Sequence, residues 1–263
     1  MTIANSVTID DAQVAYRVSG QGPAIVLVNG TGAVDLHWGG VIERLSRCRT
    51  VISLDYSGAG DTIDDGSPLT LPKLARQVEA AAVAAGVDTF DLVGHSLGAA
   101  VAVTLAAQRP DRVRSLTLVA GFLWGGAPRM KLLFELWRDL IQTNREAYVK
   151  LLALTALSDK FFQSRMAADL DALMTTIIVQ TDWDGLARQI DLDLMVDIRS
   201  EVESIRCRTL VVECAHDCIT TDSKIIAEKI PNSVYKKIDA GHQAYFEAGD
   251  TFVEILQEFI RIS

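Results

Sequence analysis

The chain has 263 residues, 49% of them hydrophobic and 22% charged, with a formal net charge of −9 at pH 7. That length and balance suit one large domain with a sizeable buried core. The acidic surplus, without a Lys/Arg cluster, argues against nucleic-acid binding and against attachment to anionic membranes, both of which need basic patches.

The N-terminal Met1-Thr2-Ile3-Ala4-Asn5 has neither a basic region nor a following apolar stretch, so no secretory signal is expected. No segment approaches the roughly 18–20 apolar residues that span a bilayer, and a cytoplasmic location with no membrane insertion is the expectation. Val7 to Ile9 and Gln13 to Val18 alternate apolar and polar residues around Asp10-Asp11, which predicts a β-hairpin. Ala24 to Val28 is a wholly apolar strand opening into Asn29-Gly30-Thr31-Gly32. Thr50 to Leu54 is another, followed by Asp55-Tyr56-Ser57-Gly58-Ala59-Gly60-Asp61. Leu71 to Ala85 has helical periodicity and stops at Gly86; Phe90 to Val93, Leu97 to Gln108 and Val113 to Ala120 then read as strand, helix and strand. Short apolar strands separated by helices predict an α/β fold, a mostly parallel sheet with helices on both faces.

After Gly121 the rhythm changes. Phe122 to about Ser200 has helical segments, such as Lys131 to Gln142 and Arg145 to Leu157, and no convincing strand. Alternation resumes with Thr209 to Glu213, Asp222 to Ile230, Val234 to Ile238 and Thr251 to Ile260. Residues 1–121 and 201–263 are therefore expected to form the core. Residues 122–200 are expected to form a helical cap over the sheet's carboxyl edge, where open α/β sheets bind ligands. The four cysteines, Cys48, Cys207, Cys214 and Cys218, are too few and irregular for a disulfide framework. Cys214-Ala215-His216-Asp217-Cys218 offers one locus where structural zinc needs two, so neither metal nor cofactor is expected.

Gly94-His95-Ser96-Leu97-Gly98 lies between a predicted strand and a predicted helix. In that context a Gly-x-Ser-x-Gly pentapeptide forms a sharp turn that lifts the serine hydroxyl to a helix N-terminus. Serine needs a base, and the base an orienting carboxylate. Of the four histidines, His95 lies inside the turn itself, and His37 and His216 come at the wrong places in chain order. His242, after the last strand, fits the order serine, acid, base. Asp217 follows Ser96, precedes His242 and leaves a strand at the same edge; Asp239 is too close to His242. Thr220, Thr221 and Asp222 are expected to share the capping of the next helix. The backbone N–H groups of Leu97 and Thr31 are placed to receive an oxyanion.

Together these segments resemble the capped α/β-hydrolases over nearly the whole chain. Asn29 through Gly32 is similar to that family's oxyanion loop, with Asn29 where His is usual. Asp55 through Gly60 is similar to its Asp-x-x-Gly-x-Gly turn, Gly94 through Gly98 to its elbow, and Cys214 through Asp217 to its acid loop, with Cys214 where Gly is usual. Gly241-His242 matches its base. The resemblance implies a serine hydrolase cleaving an ester, thioester or lactone of a largely apolar small molecule through an acyl-enzyme. Non-hydrolytic acyl transfer or cyclisation on the same scaffold is the alternative, and a ligand-binding protein without turnover is a second. Trp38, Phe122, Trp124, Trp137 and Trp183 are the candidates to enclose substrate, with most cap aromatics expected to pack the cap's own interior.

Overall fold

The apolar runs become the middle of one eight-stranded sheet in a computed structural model that describes residues 5–32 and 38–261. In chain order the strands are β1 (Asn5–Ile9), β2 (Ala12–Ser19), β3 (Ala24–Val28), β4 (Thr50–Asp55), β5 (Phe90–His95), β6 (Val113–Val119), β7 (Arg208–Cys214) and β8 (Val234–Ile238). Their spatial order is β1-β2-β4-β3-β5-β6-β7-β8. β1 and β2 are antiparallel to each other, β2 is antiparallel to β4, and β3 to β8 run parallel. Along β3, Val26 and Val28 enter one core cluster while Ile25 and Leu27 enter the other, all with no exposed surface. That two-sided burial is why the strand is apolar at every position.

Helix α1 (Gly39–Ser46) follows β3, α2 (Leu71–Ala84) follows β4, and α3 (Leu97–Gln108) follows β5. The Thr70 side chain caps α2 by accepting from the Lys73 N–H, and Pro72 occupies its first turn. The α3 sequence is apolar on all sides and is buried from Leu97 through Ala106, as an all-round apolar helix must be. Between β6 and β7 come α4 (Pro128–Thr143), α5 (Arg145–Ala156), α6 (Asp159–Gln163), α7 (Ala167–Gln180), α8 (Trp183–Met195) and α9 (Glu201–Ser204). The two chain ends of this helical stretch are clasped by a Trp124–Asp197 bridge, with Gly125 N–H donating to Val196 and Ile198 N–H to Leu123. Helices α10 (Ser223–Lys229), α11 (Ala244–Glu247) and α12 (Gly249–Arg261) complete the chain. Among the described residues, no helix is long and apolar enough to cross a membrane.

Parallel register brings the carboxyl ends of β3, β5, β6 and β7 to one edge: Val28 lies beside Gly94, and His95 beside Val119. The loops leaving that edge carry Asn29, Ser96, Ala120 and the segment after Cys214. They are far apart in sequence and adjacent only through the sheet.

Candidate active site

The turn at Ser96 depends on two close approaches. A Cβ at Gly98 would lie 2.2 Å from the Asn29 carbonyl oxygen, and one at Gly94 would lie 2.3 Å from the Gly98 carbonyl oxygen. Ser96 itself has φ 53° and ψ −119°, a conformation that L residues rarely hold. It is fixed by its N–H bond to Val119 (3.0 Å) and its carbonyl bond from Ala99 (2.9 Å). Leu97 is the first residue of α3, so its N–H has no intrahelical acceptor.

His242 and Asp217 are brought together by the loops after β8 and β7. His242 Nδ1 lies 2.8 Å from Asp217 Oδ2, with both side chains at least 95% buried. Asp217 Oδ1 also accepts from the N–H groups of Ile219 (2.7 Å) and Thr220 (3.0 Å), and the Thr220 hydroxyl donates to Oδ2. Burial alone raises the carboxyl pKa, but the His242 ring and these donors outweigh it and hold Asp217 below the usual carboxylate range. Thr220 is thus committed to Asp217 and does not cap α10. Asp222 makes no side-chain cap either; its carboxylate accepts the Leu123 N–H, because the chain leaving β6 runs past it. His216 is half-exposed and pairs with Asp239 at the surface, 2.8 Å apart. His37 lies outside the described residues.

The loop after β3 is braced from below. Asn29 is fully buried, receives the Trp38 indole N–H (3.2 Å) and donates to the Leu54 carbonyl (3.4 Å). The Tyr56 hydroxyl lies 3.0 Å and 2.9 Å from the carbonyl oxygens of Asn29 and Gly30. From above, two side chains of α8 reach the same loop. Thr31 Oγ1 donates to Asp193 (2.7 Å), and Gly32 N–H donates to Gln189 (2.8 Å).

A cavity of about 490 Å³ opens onto Ser96, His242, Thr31 and Gly32. Its wall includes Trp137, Tyr148, Leu152, Leu173, Met174 and Ile177 from α4, α5 and α7, so the helical stretch between β6 and β7 supplies much of the apolar lining. Of the five aromatic residues expected to enclose substrate, Trp137 lies among the lining residues. Trp38 does not; its indole N–H is held by Asn29 and its ring packs on Tyr245 and Phe252 in the opposite core cluster. Phe122 is buried against Phe134, Trp124 lies beneath the Arg199 guanidinium, and Trp183 sits between Tyr148 and Arg145.

Three neighbours of the site have no local sequence signal. His95 Nε2 lies 3.0 Å from the His242 carbonyl oxygen, and Cys214 Sγ lies 3.9 Å from the same oxygen. Glu247 accepts from the N–H groups of Ser158 (3.0 Å) and Gly241 (3.1 Å), tying the His242 loop to the end of α5. Asp193 and Gln189 are two more such partners, 162 and 157 residues from Thr31 and Gly32.

A family model described as the alpha/beta hydrolase family matches residues 25–255. Pyrrolizixenacetamide deacetylase of Xenorhabdus hominickii is 40% identical over 259 residues, covering 97% of this chain and 97% of that protein. The pimeloyl-acyl-carrier-protein methyl ester esterase of Xanthomonas campestris pv. campestris (strain B100) is 27% identical over 255 residues, 92% of this chain and 97% of that protein. The crystal structure of the enol-lactonase from Burkholderia xenovorans LB400 superposes with a TM-score of 0.89 at 22% identity, over 98% of this chain and all of that one.

Proposed function

The chain belongs to the alpha/beta hydrolase family, and from that premise we propose a serine hydrolase that removes an acyl group from a largely apolar small molecule. Ser96 is the nucleophile, His242 its base, and Asp217 the carboxylate that holds the His242 tautomer. Residues 122–200 act as a cap over residues 1–121 and 201–263. The observation that carries this proposal is the buried His242–Asp217 pair, 2.8 Å apart, whose histidine borders the cavity that also exposes Ser96.

The chemistry follows from the geometry. Asp217 accepts from Nδ1, so the imidazole presents Nε2 as the lone-pair nitrogen that takes the Ser96 proton. Attack on the acyl carbonyl forms a tetrahedral oxyanion, received by the N–H groups of Leu97 and Thr31. The proton on His242 then passes to the leaving oxygen or nitrogen, and water repeats the sequence to release the acid. Leaving amines fall within this reading because one relative is by name a deacetylase of an acetamide. The apolar wall of Leu152, Leu173, Met174 and Ile177 suits a hydrocarbon body, and about 490 Å³ sets a small-molecule scale.

Turnover of p-nitrophenyl acetate and labelling by a fluorophosphonate test the proposal. Wild type is expected to turn over the ester and take one phosphonyl group at Ser96. A Ser96→Ala variant that hydrolyses the ester as fast as wild type would sink it.

A further inference from the structure

We infer that Asp193 is a positioning residue for the oxyanion loop, acting through the Thr31 hydroxyl, so that helix α8 of the cap fixes the backbone N–H on which transition-state stabilisation depends. This rests on the serine-hydrolase function proposed above.

The observation is an unusual carboxyl group. Asp193 is 1% exposed, accepts the Thr31 hydroxyl at 2.7 Å through Oδ2, and has no partner for Oδ1 among the described residues. A buried carboxylate with one bond and no cation is costly, and proteins resolve that cost by keeping the proton. Among the described residues Asp193 forms no ion pair; Arg138 on the neighbouring α4 pairs with Asp191 instead. The titratable groups that face Asp193 are the phenols of Tyr148 on α5 and Tyr56 after β4. Burial, and after it the Asp193 charge, push both phenols well above their ordinary range, so both stay neutral and no cation faces the carboxyl from either element. Burial pushes the Asp193 carboxyl up to about 8, against an ordinary 3.8, despite the Thr31 bond.

Thr31 therefore has two jobs in one residue. Its backbone N–H is the proposed oxyanion donor, and its side chain is the link to α8. Gln189, one turn earlier on the same helix, accepts the next N–H, that of Gly32, and its amide reaches the Ser57 carbonyl at 3.4 Å. The pair fixes successive residues of the loop from one rigid element. When the Asp193 carboxyl loses its proton, a negative charge stands behind the loop that must hold a second negative charge. The transition state then becomes harder to reach.

The test uses the full chain and follows both p-nitrophenyl acetate hydrolysis and the rate of fluorophosphonate labelling of Ser96, across roughly pH 6 to 9.5 around the shifted carboxyl. Thr31→Val and Asp193→Leu are expected to lower kcat and the labelling rate about tenfold or more, with KM within about twofold, because a loop misplacement is felt mainly in the transition state. Thr31→Ser, which keeps the hydroxyl, regains most of that loss. Wild type declines with an alkaline midpoint near 8, and Asp193→Asn, which has no carboxyl to ionise, does not. Thr31→Val with wild-type kcat and labelling rate, or an Asp193→Asn profile that declines as wild type does, overturns the proposal. Should Asp193→Leu not fold, Asp193→Asn and the Thr31 pair decide it. A fully active Ser96→Ala variant would instead defeat the underlying function, whatever Asp193 does.

Discussion

The ring of His95 and the backbone of His242 are joined by one bond, Nε2 donating to the carbonyl oxygen over 3.0 Å. The residue before the proposed nucleophile thus carries the loop that bears the proposed base. His95 is 1% exposed and its ring stacks edge-on to both His242 and Tyr245, so the link is dry and rigid.

His95→Ala leaves a buried carbonyl whose other donor among the described residues is the weaker Cys214 thiol. A lost bond of this kind costs about 1–3 kcal/mol, and we expect kcat to fall about tenfold with a modest drop in Tm. His95→Asn, which can still donate, should recover part of kcat. Unchanged kcat in His95→Ala, with Tm alone affected, would make the contact purely structural.

Asp217→Asn tests the carboxylate. An amide leaves the wrong imidazole tautomer, and kcat should fall by roughly 10³–10⁴-fold in ester hydrolysis. The same carboxyl is held below its ordinary range, so the unfolded chain binds its proton first as pH falls. Its contribution to stability is full above the unfolded carboxylate pKa and is lost as pH drops through the folded value. The stability margin of wild type over Asp217→Asn, read by urea unfolding, should shrink on acidification. A margin independent of pH would contradict it.

The parts of the fold with local causes are legible in the sequence. β3 over Ala24–Val28, α3 over Leu97–Gln108 and β8 over Val234–Ile238 fall where the apolar runs and flanking Gly or Pro place them. The boundaries that moved did so for local reasons as well: α4 begins at Pro128, whose fixed φ suits a first helical turn, rather than at Lys131. The elbow is legible because its two glycines answer a demand local to the turn, where a Cβ at Gly94 would lie 2.3 Å from the Gly98 carbonyl oxygen. Trp38 shows the opposite case. An indole near the loop looks like a pocket wall, but its partner Asn29 sits behind the loop and draws the ring into the core. Asp193 and Glu247 were invisible, since their partners lie across the fold and no spacing rule links them.

The apolar wall makes a prediction about acyl size. Ile177 on α7 and Leu152 on α5 border the cavity away from the sheet edge. Ile177→Trp fills part of about 490 Å³ and should raise KM for p-nitrophenyl octanoate about tenfold, the scale of one or two methylenes, while leaving the acetate within about twofold. Equal effects on both esters would place the acyl chain elsewhere.

Asp193 makes a prediction about stability that needs no substrate. Its carboxyl titrates near 3.8 in the unfolded chain and near 8 in the folded one. Between those values the unfolded state binds fewer protons than the native state, so stability falls as pH rises, by up to about 1.4 kcal/mol per pH unit. The penalty is absent below the unfolded value and complete above the folded one. Asp193→Asn removes the titration and keeps an acceptor for the Thr31 hydroxyl. Its unfolding free energy relative to wild type should therefore climb steadily over roughly pH 5 to 8 and level off beyond, as followed by urea denaturation. A difference that stays constant across that range would mean that Asp193 is ionised in the native protein. Its lone bond to Thr31 would then have to hold a buried charge unaided.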